Sequence, residues 1–383
     1  MLAIGLMSGT SLDGVDVVLC ELKGDFQALH VKQLDYLCVA YPEKLKQRVQ
    51  AVIEDRTPSI QTISSVNFEL GHWYADAVQV MLDRHQLKGS DLAFVANHGQ
   101  TLYHQPHAQD AFVASTLQLG ESSLIAYRHR VDVIDNFRVM DLAAEGEGAP
   151  LVPFSETILY QTYKKPFALV NIGGISNVTI LDDESVVAFD CGPGNMMINA
   201  AMEHFYHQPY DDHGNIAASG NVHQALLNQL LAHPFIHQAP PKSTGREAFG
   251  SFYVEELLRS YKHIPAQDIV TTFTVFTAKA IELAIRSLPN LPKTLIIGGG
   301  GAHNQTLKTL IQKHLSELMV LTQDEIGFDS DAKEAMAFVI MGYAFLKNVP
   351  ANLPSVTGAK HAVILGKCTP NPFKASNHHV ELN

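Results

Sequence analysis

The stretch IGLMSGTSLDGVDVVLCEL, Ile4–Leu22, decides how the chain is read. An apolar run reaches Ser8, a turn rich in glycine and hydroxyls follows, and an alternating apolar run returns from Val15. Two such runs around a short turn predict a β-hairpin, Leu2–Ser8 with Val15–Leu22. A glycine-rich turn uncovers backbone N–H groups that together form an anion-binding concavity. Ser8, Thr10 and Ser11 add hydroxyl donors, and Asp13 adds a carboxylate able to hold Mg2+ directly or through water. Asp-Gly is also an ordinary hairpin signal, so Asp13 before Gly14 reads equally as plain turn chemistry. The turn has no GxxxxGK[ST] pattern and is not a P-loop.

Working outward, Leu29–Ala40 predicts a third strand, and Pro42–Asp55 and Ile60–His85 carry helical periodicity. LAFVANHGQT (Leu92–Thr101) is a buried strand ending in a polar loop; SSLIAYRH is helical and VDVIDNF returns to strand. EGEGAPLVP (Glu145–Pro153) reads as a crossing between domains. FALVNIGGISNVTILDD (Phe167–Asp183) then repeats the opening design: apolar strand, turn with Gly and Ser, apolar strand. SVVAFDCGPGN is a strand ending in a Gly/Pro turn, followed by the helical MMINAAMEHF, where Met196, Met197 and Met202 read as core. The rest is mostly helical, with Ile269–Leu288, the strand TLIIGGGGAHN (Thr294–Asn304) and a late helix, Asp331–Leu346. The alternation predicts an α/β chain with mixed sheets in two domains, 1–145 and 146–383, roughly the last 35 residues packing back on the first. Ligands are expected in a cleft between the halves.

Composition narrows the class. With 383 residues and 46% apolar content, a sizeable core fits. A formal net charge of -12 without a Lys/Arg block argues against a nucleic-acid partner, whose binding rests on neutralising phosphates. The 4 cysteines, Cys20, Cys38, Cys191 and Cys368, are scattered and form no CxxC, so reduced thiols are expected rather than a disulfide framework or zinc ribbon. No apolar run is long enough to span a bilayer, and no leader pattern precedes the first strand. A cytoplasmic protein with no membrane partner is the expectation.

Two glycine/hydroxyl hairpin turns and a glycine run after a later strand make the three-part pattern of the actin, hexokinase and heat-shock chaperone ATPase superfamily. The chain then resembles one family within it. GLMSGTSLDGVD, NHGQT, GEGAPLVP, NIGGISN, FDCGPGN, KSTGRE and GGGGAHN, in that order, are similar to anhydro-N-acetylmuramic acid kinases. The resemblance implies a two-domain actin-like ATPase (ribonuclease H-like) fold with a central cleft. It implies a kinase that uses ATP and Mg2+ to phosphorylate 1,6-anhydro-N-acetylmuramic acid while water opens the anhydro bridge, giving N-acetylmuramic acid 6-phosphate in cell-wall recycling. The expected partners are the amino sugar and ATP, in a homodimer. The rival readings are another sugar or carboxylate kinase on the same fold, and a non-catalytic sugar or ATP sensor.

On this reading the phosphates meet Gly9, Thr10, Ser11, Leu12, Asp13, Gly14, Val15 and Asp16, and also Gly173, Gly174 and Asn177. Asp13 is the metal ligand, and the adenosine lies against Gly298, Gly299, Gly300 and Gly301. Asp190, at a strand end before a Gly-Pro turn, suits a general base for the attacking water; the resemblance makes it the catalytic aspartate, and the residues alone allow a turn or capping role. Glu334 matches an acidic residue near the reacting sugar and also suits the first turn of a helix. His98, Gln100 and Thr101 form the edge of a sugar-binding loop, and three nearby histidines (His98, His104, His107) lack the spacing of a metal motif. Arg138 suits a lactyl carboxylate, which a guanidinium grips bidentately, or a surface ion pair; Asp141 stands beside it. Lys242–Gly250 is open to nucleotide, sugar or subunit contact.

Overall fold

The opening stretch folds as the expected hairpin. In the computed structural model, which describes residues 1–9, 12–55, 57–182, 186–240 and 242–374, β1 (Leu2–Ser8) runs antiparallel to β2 (Gly14–Lys23), from Leu2 opposite Glu21 to Met7 opposite Asp16. Strands β3 (His30–Ala40), β4 (Leu92–Gln105), β5 (Ser115–Leu119) and β6 (Val133–Asp135) follow. A second set comprises β7 (Phe167–Ile172), β8 (Ile175–Leu181), β9 (Val186–Pro193), β10 (Thr294–Gly298) and β11 (Met319–Thr322). The last strand is β12 (Lys367–Thr369).

The chain divides into two compact units, Met1–Gln161 with Ala332–Asn383, and Thr162–Asp331. In the first, the sheet order is β12-β6-β4-β1-β2-β3, with β5 added to β4. In the second it is β11-β10-β7-β8-β9. Each sheet starts as an antiparallel meander of three strands, and its first strand then pairs in parallel with a strand that arrives through a helical crossover. Two α/β units with the same mixed order are the duplicated architecture expected of the actin-like ATPase fold.

Burial explains the order in the first unit. β1 is buried on both faces, as a central strand must be. One face packs on the helix Ile60–Arg84, whose start is capped by Ser59 Oγ accepting the N–H of Thr62 at 3.0 Å; Leu70, Tyr74, Val78 and Met81 join Ile4 and Leu6 in one core. The other face takes the helix Lys333–Leu346, apolar nearly all round. Glycine permits that contact from both sides: a Cβ on Gly5 would stand 2.2 Å from the carbonyl oxygen of Ala335, and one on Gly342 would stand 2.6 Å from the ring of Phe94.

The glycine- and proline-rich stretch from Glu145 to Pro153 lies inside this first unit, and the chain leaves the unit after Gln161. The helix Val152–Leu159 is held to Lys333–Leu346 by a buried ion pair between Glu156 and Lys333. Removing one member of such a pair costs about 3–5 kcal/mol, because the other charge is then stranded. β12 closes the sheet edge by pairing antiparallel with β6.

In the second unit the helix Ala266–Arg286 is the spine. It is buried along most of its length and serves both apolar clusters of the unit. Four threonines in it are buried, and each satisfies its hydroxyl on a backbone carbonyl, Thr277 on that of Gly194 at 2.9 Å. That bond ties the helix to the turn after β9. All four cysteines are free thiols. Among the described residues, no helix is long and apolar enough to cross a membrane.

Candidate active site

In the first unit the turn between β1 and β2 is braced from beneath. Ser8 Oγ, fully buried, accepts the hydroxyls of Tyr41 and Tyr74 at 2.8 and 3.0 Å. Gln100, also buried, donates its Nε2–H to the carbonyl of Gly9 at 3.2 Å and accepts the Tyr41 hydroxyl at 3.3 Å. The sequence suggests a ligand-facing role for both, and in the structure both spend polar atoms inside the protein. Among the described residues of the turn, Leu12 is left-handed, at φ 55°. Gly14 opens β2 without positive φ and is glycine because β3 comes close: a Cβ there would lie 2.5 Å from the carbonyl oxygen of Val39. Thr10 and Ser11 lie outside the described residues, and Val15 is core.

Two carboxylates flank this turn. Asp13 is exposed. Asp16 is half-buried and accepts the Tyr36 hydroxyl at 2.7 Å; burial raises its pKa, and the negative charges of Asp13 and Glu334 add to the rise. Asp13 with Asp16 behind it suits Mg2+, which needs only one or two protein carboxylates when phosphate oxygens and water complete its shell. The three histidines do not converge. His104 meets Thr116 at 3.0 Å and His107 meets Glu147 at 3.2 Å. Among the described residues no group of three or more His, Cys, Asp or Glu could hold a metal.

His98 and Arg138 form a defined pair. His98 is 3% exposed and packs on the ring of Phe338 at 4.5 Å between centroids. Its Nδ1–H donates to the carbonyl of Gly99 at 2.8 Å, so Nε2 is the acceptor for the Nε–H of Arg138 at 3.0 Å. Burial first, and the Arg138 charge second, hold the imidazole pKa well below its ordinary 6.5. Arg138 also donates to the carbonyl of Gly148 at 2.8 Å. Of its five N–H groups, three engage no partner among the described residues. Glu334, exposed on the first turn of its helix, attracts Arg138 and repels Asp16, so it faces the same end of the sheet as both. Thr101 Oγ1 accepts Gln118 Nε2 at 3.3 Å.

Asp141 has another task. Fully buried, it accepts Asn352 Nδ2–H and the Thr357 hydroxyl on one oxygen, at 2.7 and 2.8 Å, and the N–H of Gly148 on the other at 2.7 Å. It fastens the C-terminal stretch and the 146–148 loop, on which Arg138 also leans.

In the second unit the β7–β8 turn is tied to the segment that follows β9 by Asn195, a residue without a signal of its own in the sequence. Its N–H donates to the carbonyl of Gly173 at 2.7 Å and its Nδ2–H to that of Ile172 at 3.3 Å. The glycines here fall into two groups. Gly299 has φ 75°, and a Cβ on Gly298 or Gly301 would stand 2.4 Å from Gln323 or 2.3 Å from Ile172. Gly173, Gly174 and Gly300 have no left-handed φ, and a Cβ on any of them would meet nothing of the chain nearer than 3.5 Å. Nothing in the chain's own packing requires glycine at these three. A ligand brought against the backbone would require it, since only glycine lets a bound group approach the chain that closely.

Asp190 stands on β9 directly opposite Asn177 on β8, next to a register shift in the ladder. The N–H of Thr244 donates to its Oδ2 at 2.8 Å, and its own N–H donates to the carbonyl of Lys242 at 3.0 Å. The KSTGRE segment therefore begins as an addition to the edge of this sheet. Its signal in the sequence was polar clustering only, with nothing to name Asp190 as its partner.

The family model for anhydro-N-acetylmuramic acid kinase matches residues 1–371. The chain belongs to the anhydro-N-acetylmuramic acid kinase family. A member from Clostridioides difficile is 47% identical over 381 residues, covering 97% of this chain and 99% of its own. One from Francisella tularensis subsp. novicida is 44% identical, covering 95% and 97%, and one from Bacillus cereus strain AH187 is 42% identical, covering 96% and 99%. Anhydro-N-acetylmuramic acid kinases are enzymes, so the sensor reading is set aside, and ATP is the phosphoryl donor of the class.

Proposed function

We propose that this anhydro-N-acetylmuramic acid kinase transfers the γ-phosphoryl of ATP to O6 of 1,6-anhydro-N-acetylmuramic acid as water adds to C1, giving N-acetylmuramic acid 6-phosphate and ADP during cell-wall recycling. The observation that carries the reading is Asp190, a carboxylate fixed within β9 by a backbone donor, in the unit that carries the three glycines with open space beside them. A fixed carboxylate is what activation of a poor nucleophile requires.

Atoms balance in one event. Water attacks C1 and yields its proton to Asp190; the C1–O6 bond breaks, and its electron pair goes to O6. O6 bonds to the γ-phosphorus as the bond to the β-phosphate oxygen breaks and ADP leaves. O6 is a poor leaving group from C1, and it becomes a better one as phosphorus takes up its charge. Positioning and charge stabilisation are most of what phosphoryl transfer asks of a protein. Gly173, Gly174, Asn177 and the Gly298–Gly301 run are assigned to the nucleotide, and the Gly9–Asp16 turn to the phosphates. Mg2+, held by Asp13 with Asp16 behind it, would screen the phosphate charge. Arg138, oriented by His98, is assigned to the lactyl carboxylate, which its three open N–H groups suit. Glu334 is placed beside the sugar, and Gln100 moves from sugar ligand to brace of the turn. Cytoplasmic placement and a homodimeric state are part of the same proposal and are carried by the family resemblance.

Incubation with ATP, Mg2+ and 1,6-anhydro-N-acetylmuramic acid, followed by mass spectrometry, tests the reading. A sugar that gains one phosphate and one water supports it. A phosphorylated sugar with its bridge intact points to an ordinary sugar kinase.

A further inference from the structure

We propose that Lys242 is a positioning residue for Asp190; the proposal rests on the reading of Asp190 as the base. β9 is the outer strand of its sheet and, among the strands of the described residues, pairs with β8 alone, on its inner side. An outer strand presents backbone groups that an added segment can pair with. The segment 242–244 does so at one residue: Lys242 supplies the carbonyl for the N–H of Asp190, and Thr244 supplies the N–H for its Oδ2. The same short segment thus grips the backbone and the carboxylate of Asp190, which sets the rotation of the side chain.

Lys242 anchors that segment. Its Nζ donates to the carbonyls of Phe235 and Ile236 at 3.2 and 3.3 Å and lies 4.7 Å from the centre of the Phe235 ring. Those carbonyls belong to the short 3-10 turn Pro234–His237, whose end leaves acceptors for outside donors. Phe235 and Ile236 are themselves buried. The grip therefore runs from the apolar core through the turn, the ammonium and the 242–244 segment to the carboxylate. A side chain with the same reach and no N–H donors would leave the segment tethered by its backbone alone. Lys242 touches no reacting atom on this reading and acts through Asp190.

Lys242→Met, Lys242→Arg, Asp190→Asn and the Lys242→Met/Asp190→Asn double variant test it. In Lys242→Met, kcat is expected to fall at least tenfold, about 1.4 kcal/mol of barrier, with KM for both substrates within threefold of wild type. Lys242→Arg should recover most of the loss. Because Lys242 acts through Asp190, adding Lys242→Met to Asp190→Asn should change the residual single-turnover rate less than twofold. A merely structural role would lower both backgrounds alike and overturn the proposal, as would an unchanged kcat in Lys242→Met. If Lys242→Met does not fold, Thr244→Pro, which deletes the N–H donor, replaces it with the same expectations. An Asp190→Asn enzyme that keeps wild-type turnover would remove the underlying reading instead, so the two failures are distinguishable.

Discussion

The Nε–H of Arg138 donates to Nε2 of His98 at 3.0 Å, and the other ring nitrogen of His98 is committed to the Gly99 carbonyl. The imidazole must be neutral in this arrangement, because a proton on Nε2 would face an arginine donor. The unfolded chain protonates His98 near 6.5, whereas the folded chain resists it. The contribution of His98 to stability is therefore full above about pH 6.5 and lost as pH falls toward the depressed folded value, by at most about 1.4 kcal/mol per pH unit. His98→Gln should shrink the difference in urea-unfolding free energy between pH 7 and pH 5.5. An unchanged difference would show that His98 titrates normally in the folded protein.

Asp141 is expected to matter for stability rather than for substrate. Asp141→Ala leaves the N–H of Gly148 and the donors of Asn352 and Thr357 without their buried acceptor. A loss of about 3 kcal/mol or more is expected in chemical denaturation, since each stranded buried donor costs about 1–3 kcal/mol. KM for the sugar should stay within about twofold under conditions where the variant is folded. Unchanged stability with a raised KM would return Asp141 to the sugar site.

The glycines give a contrast within one short region. Gly174→Ala and Gly300→Ala should leave the melting temperature unchanged or slightly higher, because the backbone accepts alanine and the unfolded chain loses freedom. Both should raise KM for ATP, because the new methyl occupies ligand space. Gly299→Ala, at φ 75°, should instead cost about 1–3 kcal/mol of stability. Steady-state kinetics with thermal melts checks all three; equal KM for ATP in Gly174→Ala and wild type would place the nucleotide elsewhere.

The two hairpins and their duplicated design were legible because an apolar run, a glycine turn and an apolar run are local patterns. The helices were legible to within a few residues: Ile60–His85 folds as Ile60–Arg84, and Ile269–Leu288 as Ala266–Arg286. Partners distant in the chain were not legible. Gln100 resembled a sugar ligand until Tyr41 and Gly9 were brought to it, and Asp141 resembled one until Asn352 and Thr357 arrived from more than two hundred positions away. Gly14 looked like a turn glycine; the approach of Val39 makes it glycine, and neighbouring sequence cannot report that. Asn195 carries no signal of its own, and the Lys242–Gly250 segment was legible as polar but not as the partner of Asp190, since the groups they serve come from other strands and turns.

Asp13 is expected to act through the metal. Asp13→Asn should raise the Mg2+ concentration needed for half-maximal turnover several-fold while the fold stays intact, since Asp13 is exposed and its backbone carbonyl, which accepts the N–H of Tyr41, is unchanged by the substitution. Titration of Mg2+ at saturating ATP, alongside circular dichroism, reads both. Unchanged Mg2+ dependence would leave Asp13 a turn residue.

The most direct test of the chemistry assigned to Asp190 is a single turnover in 18O-labelled water with ATP, Mg2+ and 1,6-anhydro-N-acetylmuramic acid. Attack on C1 opposite the departing O6 predicts one label on C1, none in the phosphate ester, and the α anomer first, by inversion. Asp190→Asn should slow this turnover by far more than tenfold, that is by more than about 1.4 kcal/mol. Label in the phosphate ester, or a phosphorylated sugar that keeps its anhydro bridge, would contradict coupled hydrolysis and transfer.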